Sequence, residues 1–341
     1  MSLRFVSAAA DVSRETPGIL GGARLGGGPL DDDRAWPMQA IPAPLLASTA
    51  GTIEEYWLAT GQLRSGEANG LRWQRNDEVL FGVITLNEAD FAEAAKAAGK
   101  TALQLASEAA YTGIFELIDR EGLPKLWRIW NYLADINQEV GEANGLERYR
   151  QFNIGRQDAF LASQRCATGN VPAACAIGLR SGPLSIAFLA GATAPVPVEN
   201  PRQVSAYHYP ATYGPRSPTF SRGALVYPAG QEILFISGTA SIVGHQTVHP
   251  ADPQRQCRET MENIAAVIRE ANRLCRSTPF AVPDMHYRVY VRQARDLDAI
   301  RQSLLPLIGE APVIFVEADI CRADLLLEIE AMASHPLEER T

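Results

Sequence analysis

The chain has 341 residues, 46% hydrophobic and 21% charged, an ordinary globular composition that fits two domains or one large one. Its 31 Lys+Arg against 39 Asp+Glu leave a net charge of −8, which argues against a generic nucleic-acid or membrane-surface binder and means that an anionic ligand must be met by a few local arginines. No apolar run approaches the ~20 residues of a membrane span, the start MSLRFVSAAADVSRETPG lacks a leader pattern, and five cysteines without a CxxC predict reduced thiols in a cytoplasm.

Residues 1–50 are rich in Gly, Pro and Ala and read as short strands and loops wrapped on a core. The run GGARLGGG lacks both GxGxxG and the P-loop Gly-Lys-Ser/Thr, so a nucleotide loop is not expected. Residues 71–86 give strand signals around a turn at Arg75-Asn76-Asp77. Apolar spacing then predicts helix over 90–120 with a break near Gly99. A strand follows over 126–136, a second helix over 141–165, and an apolar hairpin over 175–192. Residues 193–203 carry three prolines and read as a linker.

The second half repeats that order. A strand pair is predicted over 224–242, an amphipathic helix over 257–275, an alternating strand over 285–293, a helix over 295–308 and a closing hairpin. LFGVITL aligns with LFISGTA, WRIWNYLADIN with HYRVYVRQARD, and SGPLSIAFLAGA with RADLLLEIEAMA. A duplicated α+β fold follows, with mostly antiparallel sheets, helices on one face of each, and domains expected over 1–195 and 196–341.

ILFISGTAS, ETMENIAAVIREA, HYRVYVRQ and the closing DLLLEIEA resemble the Rid (YjgF-like) family. Rid deaminases carry a carboxylate-binding arginine at the start of the penultimate strand. Here PVIFVEADICR has Ile314 or an apolar neighbour at that place, which disfavours imine hydrolysis. Two Rid-like halves, with NGLERYRQFNIGRQDAF, YHYPATYGPRSPTFSRG, SGTASIVGH and VEADICRADLLLEIEA, are more specifically similar to the chorismatases. The resemblance implies cofactor-free conversion of chorismate to pyruvate and 3-hydroxybenzoate, with 4-hydroxybenzoate as a further product. The alternatives are hydrolysis to a dihydroxycyclohexadiene carboxylate, a Rid-type deaminase, or a non-catalytic binder of aromatic acids. A monomer or a homotrimer is expected.

Chorismate is a dianion, and forked cationic donors are what such a ligand needs. The candidates are Arg148, Arg150 and Arg156 on the central helix and Arg216 in the Tyr- and Pro-rich loop, with Arg148 and Arg150 on different faces. Tyr207, Tyr209 and Tyr213 sit on that loop, and Tyr213 is favoured as a substrate contact. The reaction needs an acid. Strand alternation puts Glu328 and Glu330 on one face among apolar neighbours, where burial and a like charge hold a carboxyl protonated, and Glu328 is the expected acid. Gly238 and Cys321 are expected to shape the space beside the ring, with Cys321 a wall rather than a nucleophile. His245 and His249 stand four apart without an HExxH glutamate, so no metal site is expected.

Overall fold

A computed structural model describes residues 2–8, 16–27, 30, 34–140 and 145–337. Strands β1 (Leu3–Ala8), β2 (Ile19–Gly26), β3 (Met38–Ile41) and β5 (Thr52–Ala59) form a four-stranded sheet ordered β1-β5-β2-β3. The two-residue β4 (Leu45–Leu46) leaves this group and pairs elsewhere. The glycine run of GGARLGGG lies largely in β2, and its last residue, Gly28, is outside the described residues.

The first repeat begins with β6 (Arg64–Ala68), β7 (Leu71–Arg75) and β8 (Val79–Leu86). The Asn76 side chain accepts from the backbone of Glu78 and Val79, which fixes the turn between β7 and β8. Helix α1 (Ala92–Ala98) ends at Gly99 with φ 64°, and α2 (Ala102–Arg120) restarts behind a capping box of Thr101 and Gln104. Next come β9 (Lys125–Ala134), β10 (Glu139–Val140), β11 (Leu146–Glu147), α3 (Arg148–Ala162), β12 (Ala173–Leu179) and β13 (Leu184–Gly191). Helix α3 is shorter than the expected 141–165, because β11 pairs with β10 immediately before it. Residues 141–144 of that expectation lie outside the described residues.

In the second repeat β14 (Val196–Val198), β15 (Gly223–Val226) and β16 (Gln231–Thr239) are followed by the small hairpin β17 (Ile242–Val243) and β18 (Gln246–Thr247). Helix α4 (Pro253–Leu274) starts at the N-cap Asp252 with Pro253 in its first turn, and buries Cys257, Met261, Ile264, Val267 and Ala271 along one stripe. Then come β19 (His286–Val291), α5 (Leu297–Ile308), β20 (Val313–Glu317), β21 (Asp319–Ile320) and β22 (Leu327–Pro336). The expected linker over 193–203 contains β14, which pairs with β15.

The two larger sheets are ordered β21-β12-β9-β13-β8-β7-β6 and β14-β15-β16-β22-β19-β20-β4. Their cores match, with β8-β13-β9-β12 in one and β16-β22-β19-β20 in the other, so the duplication is written in the topology. The expected hairpins over 175–192 and at the close are not hairpins. In each repeat the middle strand, β9 or β19, lies between the last two strands, parallel to one and antiparallel to the other. The apolar strings are the same in either arrangement, so only strand pairing decides it. Each larger sheet also takes a short edge strand from outside its own repeat, β21 on β12 and β4 on β20.

Helices α2 and α3 cover the outer face of the first sheet, and α4 and α5 that of the second. The inner faces of both meet the four-stranded sheet. Trp57, Trp130 and Phe235, one from each sheet, pack with ring centroids 5.8 and 6.4 Å apart around Phe235. No described helix is long and apolar enough to cross a membrane.

Candidate active site

A cavity of ≈ 650 Å³ opens between α3 and β12 on one side and β16, β22 and the β17–β18 hairpin on the other. Its floor depends on strand β22. Leu327, Ile329 and Ala331 face α4 and α5, so the alternate residues Glu328 and Glu330 turn inward, as the pattern predicts. Glu328 lines the cavity and is 4% exposed. Burial, and then the charge of Glu330, push its carboxyl up to about 8, against the opposing pull of Arg128, Arg222 and Arg292. Gly238 leaves the space this carboxyl occupies, since a Cβ there would stand 1.9 Å from Glu328 Oε1. Cys321 Sγ lies 4.0 Å from Glu328 Oε2. Burial and the adjacent glutamate push this thiol up to about 12, so it stays protonated and forms a wall.

Four arginines line the hollow, of which Arg150 pairs with Glu147 and the other three are held by neutral partners. Arg156 is 2% exposed on α3, donates to Asn153 Oδ1 at 2.7 Å and lies over the Phe152 ring. It reaches the cavity because α3 packs hard on α2 at Gly155, where a Cβ would meet the Gln104 carbonyl oxygen at 2.1 Å. Arg222 is 4% exposed, stacks on Tyr209 and Phe220, and donates to the Tyr209 hydroxyl at 2.7 Å. Arg322 lies 4.3 Å over the Tyr213 ring and donates to the His245 carbonyl at 2.9 Å. Each keeps one buried nitrogen without a protein partner: Nε of Arg156, Nε of Arg222 and Nη2 of Arg322. Cationic donors held by neutral partners in a buried hollow form a receptor for an anion.

A family model described as Chorismatase FkbO/Hyg5-like, N-terminal, matches residues 55–190. A curated chorismatase of Streptomyces rapamycinicus is 40% identical over 290 residues, covering 83% of each chain. A 3-hydroxybenzoate synthase of Streptomyces hygroscopicus is 34% identical over 297 residues, covering 84% of this chain and 83% of that one. The crystal structure of a chorismatase superposes with a TM-score of 0.83 at 35% identity, covering 97% of both chains. The chain belongs to the chorismatase family. The expected α+β fold of two like units stands with it.

Within this chorismatase-family chain the cavity gathers Glu328, Arg156, Tyr213, Gly238 and Cys321 from the expected set, together with Arg150 and Tyr209. Three expectations are corrected. Arg148 turns away, donating to Glu88 at 3.0 Å and to the Ala134 carbonyl at 2.9 Å, and so pins the start of α3. Arg216 is on the outside, 45% exposed and 3.5 Å from Asp158. Tyr207 packs against His208 rather than lining the cavity. Tyr213 is inside, but its hydroxyl donates to the His245 carbonyl at 2.7 Å, which leaves its ring to support Arg322. His249 pairs with Glu259 at 3.4 Å. Arg222 and Arg322 were missed although both stand in the motif strings TFSRG and ICRAD. Their signal was an arginine flanked by apolar or small residues at a strand start or tight turn, whereas Arg216 sits among the prolines of the loop.

Proposed function

We propose that the protein converts chorismate to a hydroxybenzoate and pyruvate, with Glu328 as the acid that starts the reaction. A carboxyl raised to about 8 is mostly protonated at neutral pH and stands at the floor of an arginine-lined hollow, and this observation carries the reading. Arg156, Arg222 and Arg322 receive the two carboxylates of the substrate. Glu328 gives its proton to the enolpyruvyl methylene carbon, making an oxocarbenium ion whose charge the nascent Glu328 carboxylate balances. The ring C–O bond then breaks with its electron pair going to oxygen, and pyruvate leaves. Loss of the proton from the hydroxyl-bearing ring carbon then gives 4-hydroxybenzoate directly. For 3-hydroxybenzoate the hydroxyl oxygen first closes on the neighbouring ring cation as an epoxide, its proton returning to the Glu328 carboxylate. The epoxide bond to the carbon that first bore the hydroxyl then breaks, and the proton leaving the other carbon passes to the oxygen as the ring aromatises. Chorismate holds the same atoms as hydroxybenzoate plus pyruvate, so no water, cofactor or redox partner is consumed.

The 3-hydroxybenzoate synthase among the relatives supports that product, and 4-hydroxybenzoate is proposed beside it, with Gly238 and Cys321 shaping the space beside the ring. A monomer or a homotrimer is the proposed assembly. The five free cysteines fit a reducing cytoplasm. Purified protein incubated with chorismate and analysed by chromatography tests the reading. Hydroxybenzoate and pyruvate in equal amounts support it, a dihydroxycyclohexadiene acid replaces it by hydrolysis, and no pyruvate overturns it.

A further inference from the structure

Behind Glu328, away from the cavity, lies a buried cluster of charges that the proposed chemistry does not touch. Glu330 pairs with Arg128 of β9 and, at 3.0 Å, with Arg288 of β19. Arg288 also pairs with Glu55 of β5, and the Tyr290 hydroxyl donates to Glu330 at 3.0 Å. The Tyr132 and Tyr290 hydroxyls meet at 2.5 Å. The cluster thus joins all three sheets with two carboxylates and two guanidinium groups. Glu330 thus accepts hydrogen bonds from Arg128 and Tyr290 and pairs with the Arg288 guanidinium as well.

Glu328 is two residues away on the same face of β22, and receives no such clamp among the described residues. The groups that bear on it are Glu330 on its own strand, Arg128 from β9, Arg222 and Arg292 from the segments beside β15 and β19, and Cys321. Tyr149 of α3 and Cys175 of β12 also couple to it, and Glu139, Glu147, Asp324, Arg150, Arg156 and Arg322 line the same cavity. Of the carboxylates, Glu330 is the one beside Glu328 on its own strand face, and its position is fixed from both repeats.

We propose that Glu330, locked between Arg128 and Arg288, is a positioning residue whose fixed negative charge keeps the proton on Glu328. The two guanidinium groups hold Glu330 in place as their ion-pair partner. The nearby anion in turn disfavours a second negative charge on Glu328. The inference rests on the reading of Glu328 as the acid, but its test does not.

Isotope-edited infrared titration, with E328Q as the blank, reads the Glu328 carboxyl directly. E330Q removes the charge at nearly constant shape and should lower the Glu328 midpoint from about 8 by at least about one unit. At pH 8 the protonated fraction then falls about fivefold. E330D, which keeps the charge but changes the packing more, should restore the midpoint. R288Q, which loosens the lock on Glu330 without removing a cation that bears on Glu328, should lower it too, and supplies the sign if E330Q does not fold. An unchanged midpoint in E330Q, equal shifts in E330D and E330Q, or a rise in R288Q overturns the proposal. A shift as described together with an active E328Q would sink the acid role alone. An inactive E328Q whose wild-type midpoint ignores Glu330 would sink this inference alone.

Discussion

Where the second repeat sets Glu328 opposite Tyr290 and Glu330 opposite Arg288, the first sets Ser185 opposite Tyr132 and Ala187 opposite Trp130. The strands have the same order and register, so backbone topology alone does not make the site. The first repeat has no acid at the matching place. It contributes cations across the interface instead, Arg128 to Glu330 and Arg156 to the hollow. Duplication supplied two equivalent frames, and the cavity lining is divided between them: Glu328 comes from one and Arg156 from the other. A site built this way requires both repeats in one packed body, and the shared tryptophan and phenylalanine core enforces that.

The sharpest way to break the comparison is to exchange its terms. E328Q should lower turnover by about 10²–10⁴-fold while binding persists, as loss of a general acid requires. Adding S185E to E328Q should restore nothing, because the first repeat offers no arginine hollow of the same composition. Restored turnover, measured by pyruvate release, would show that the two frames are interchangeable.

Arginine replacements sharpen it next. R156M, R222M and R322M should each raise KM about 10–100-fold, the worth of a charge-assisted hydrogen bond in a buried setting. R216A should leave KM within about twofold, as an exposed ion pair implies. G238A pushes a methyl group toward the Glu328 carboxyl and should lower kcat about 10–100-fold, with a smaller change in KM.

Effects of pH follow from the raised Glu328. The protonated form is the working one, so kcat should fall as pH rises through about 8 and lose about tenfold per unit above it. For stability the sign runs the same way. Between the ordinary value of 4.5 and about 8 the folded state holds a proton that the unfolded chain has released, so Glu328 makes stability decline as pH rises across that window. Thermal melts of E328Q should lack this component, and an identical slope in both proteins would contradict it. The smallest effects belong to the frames themselves. T101A and D252A each remove a helix cap and should cost about 1 kcal/mol in chemical denaturation, with KM unchanged.

Much of this was readable from the chain. The break at Gly99, the turn at Asn76, the inward face shared by Glu328 and Glu330, and the repeated order of elements all follow from local spacing and turn chemistry. Residue-level alignment of the repeats was less secure. Setting SGPLSIAFLAGA on RADLLLEIEAMA places Ala187 beside Glu328, whereas strand register places Ser185 there. Setting WRIWNYLADIN on HYRVYVRQARD is out by one residue, and with a period of two that exchanges the faces of the strand. Arg148 and Arg216 were attractive because the sequence marks a charge without marking what stands opposite it. Glu88 and Asp158, far away in the chain, took both.

The order of letters by itself determined most of the elements, their buried faces and the shared inward turn of Glu328 and Glu330, since these depend on neighbours within a few residues. Which strand enters between which, and which arginines keep an open nitrogen, were decided only by tertiary packing. Pairing energies and ion pairs act between residues that are close in space and distant in sequence, and no local pattern records them.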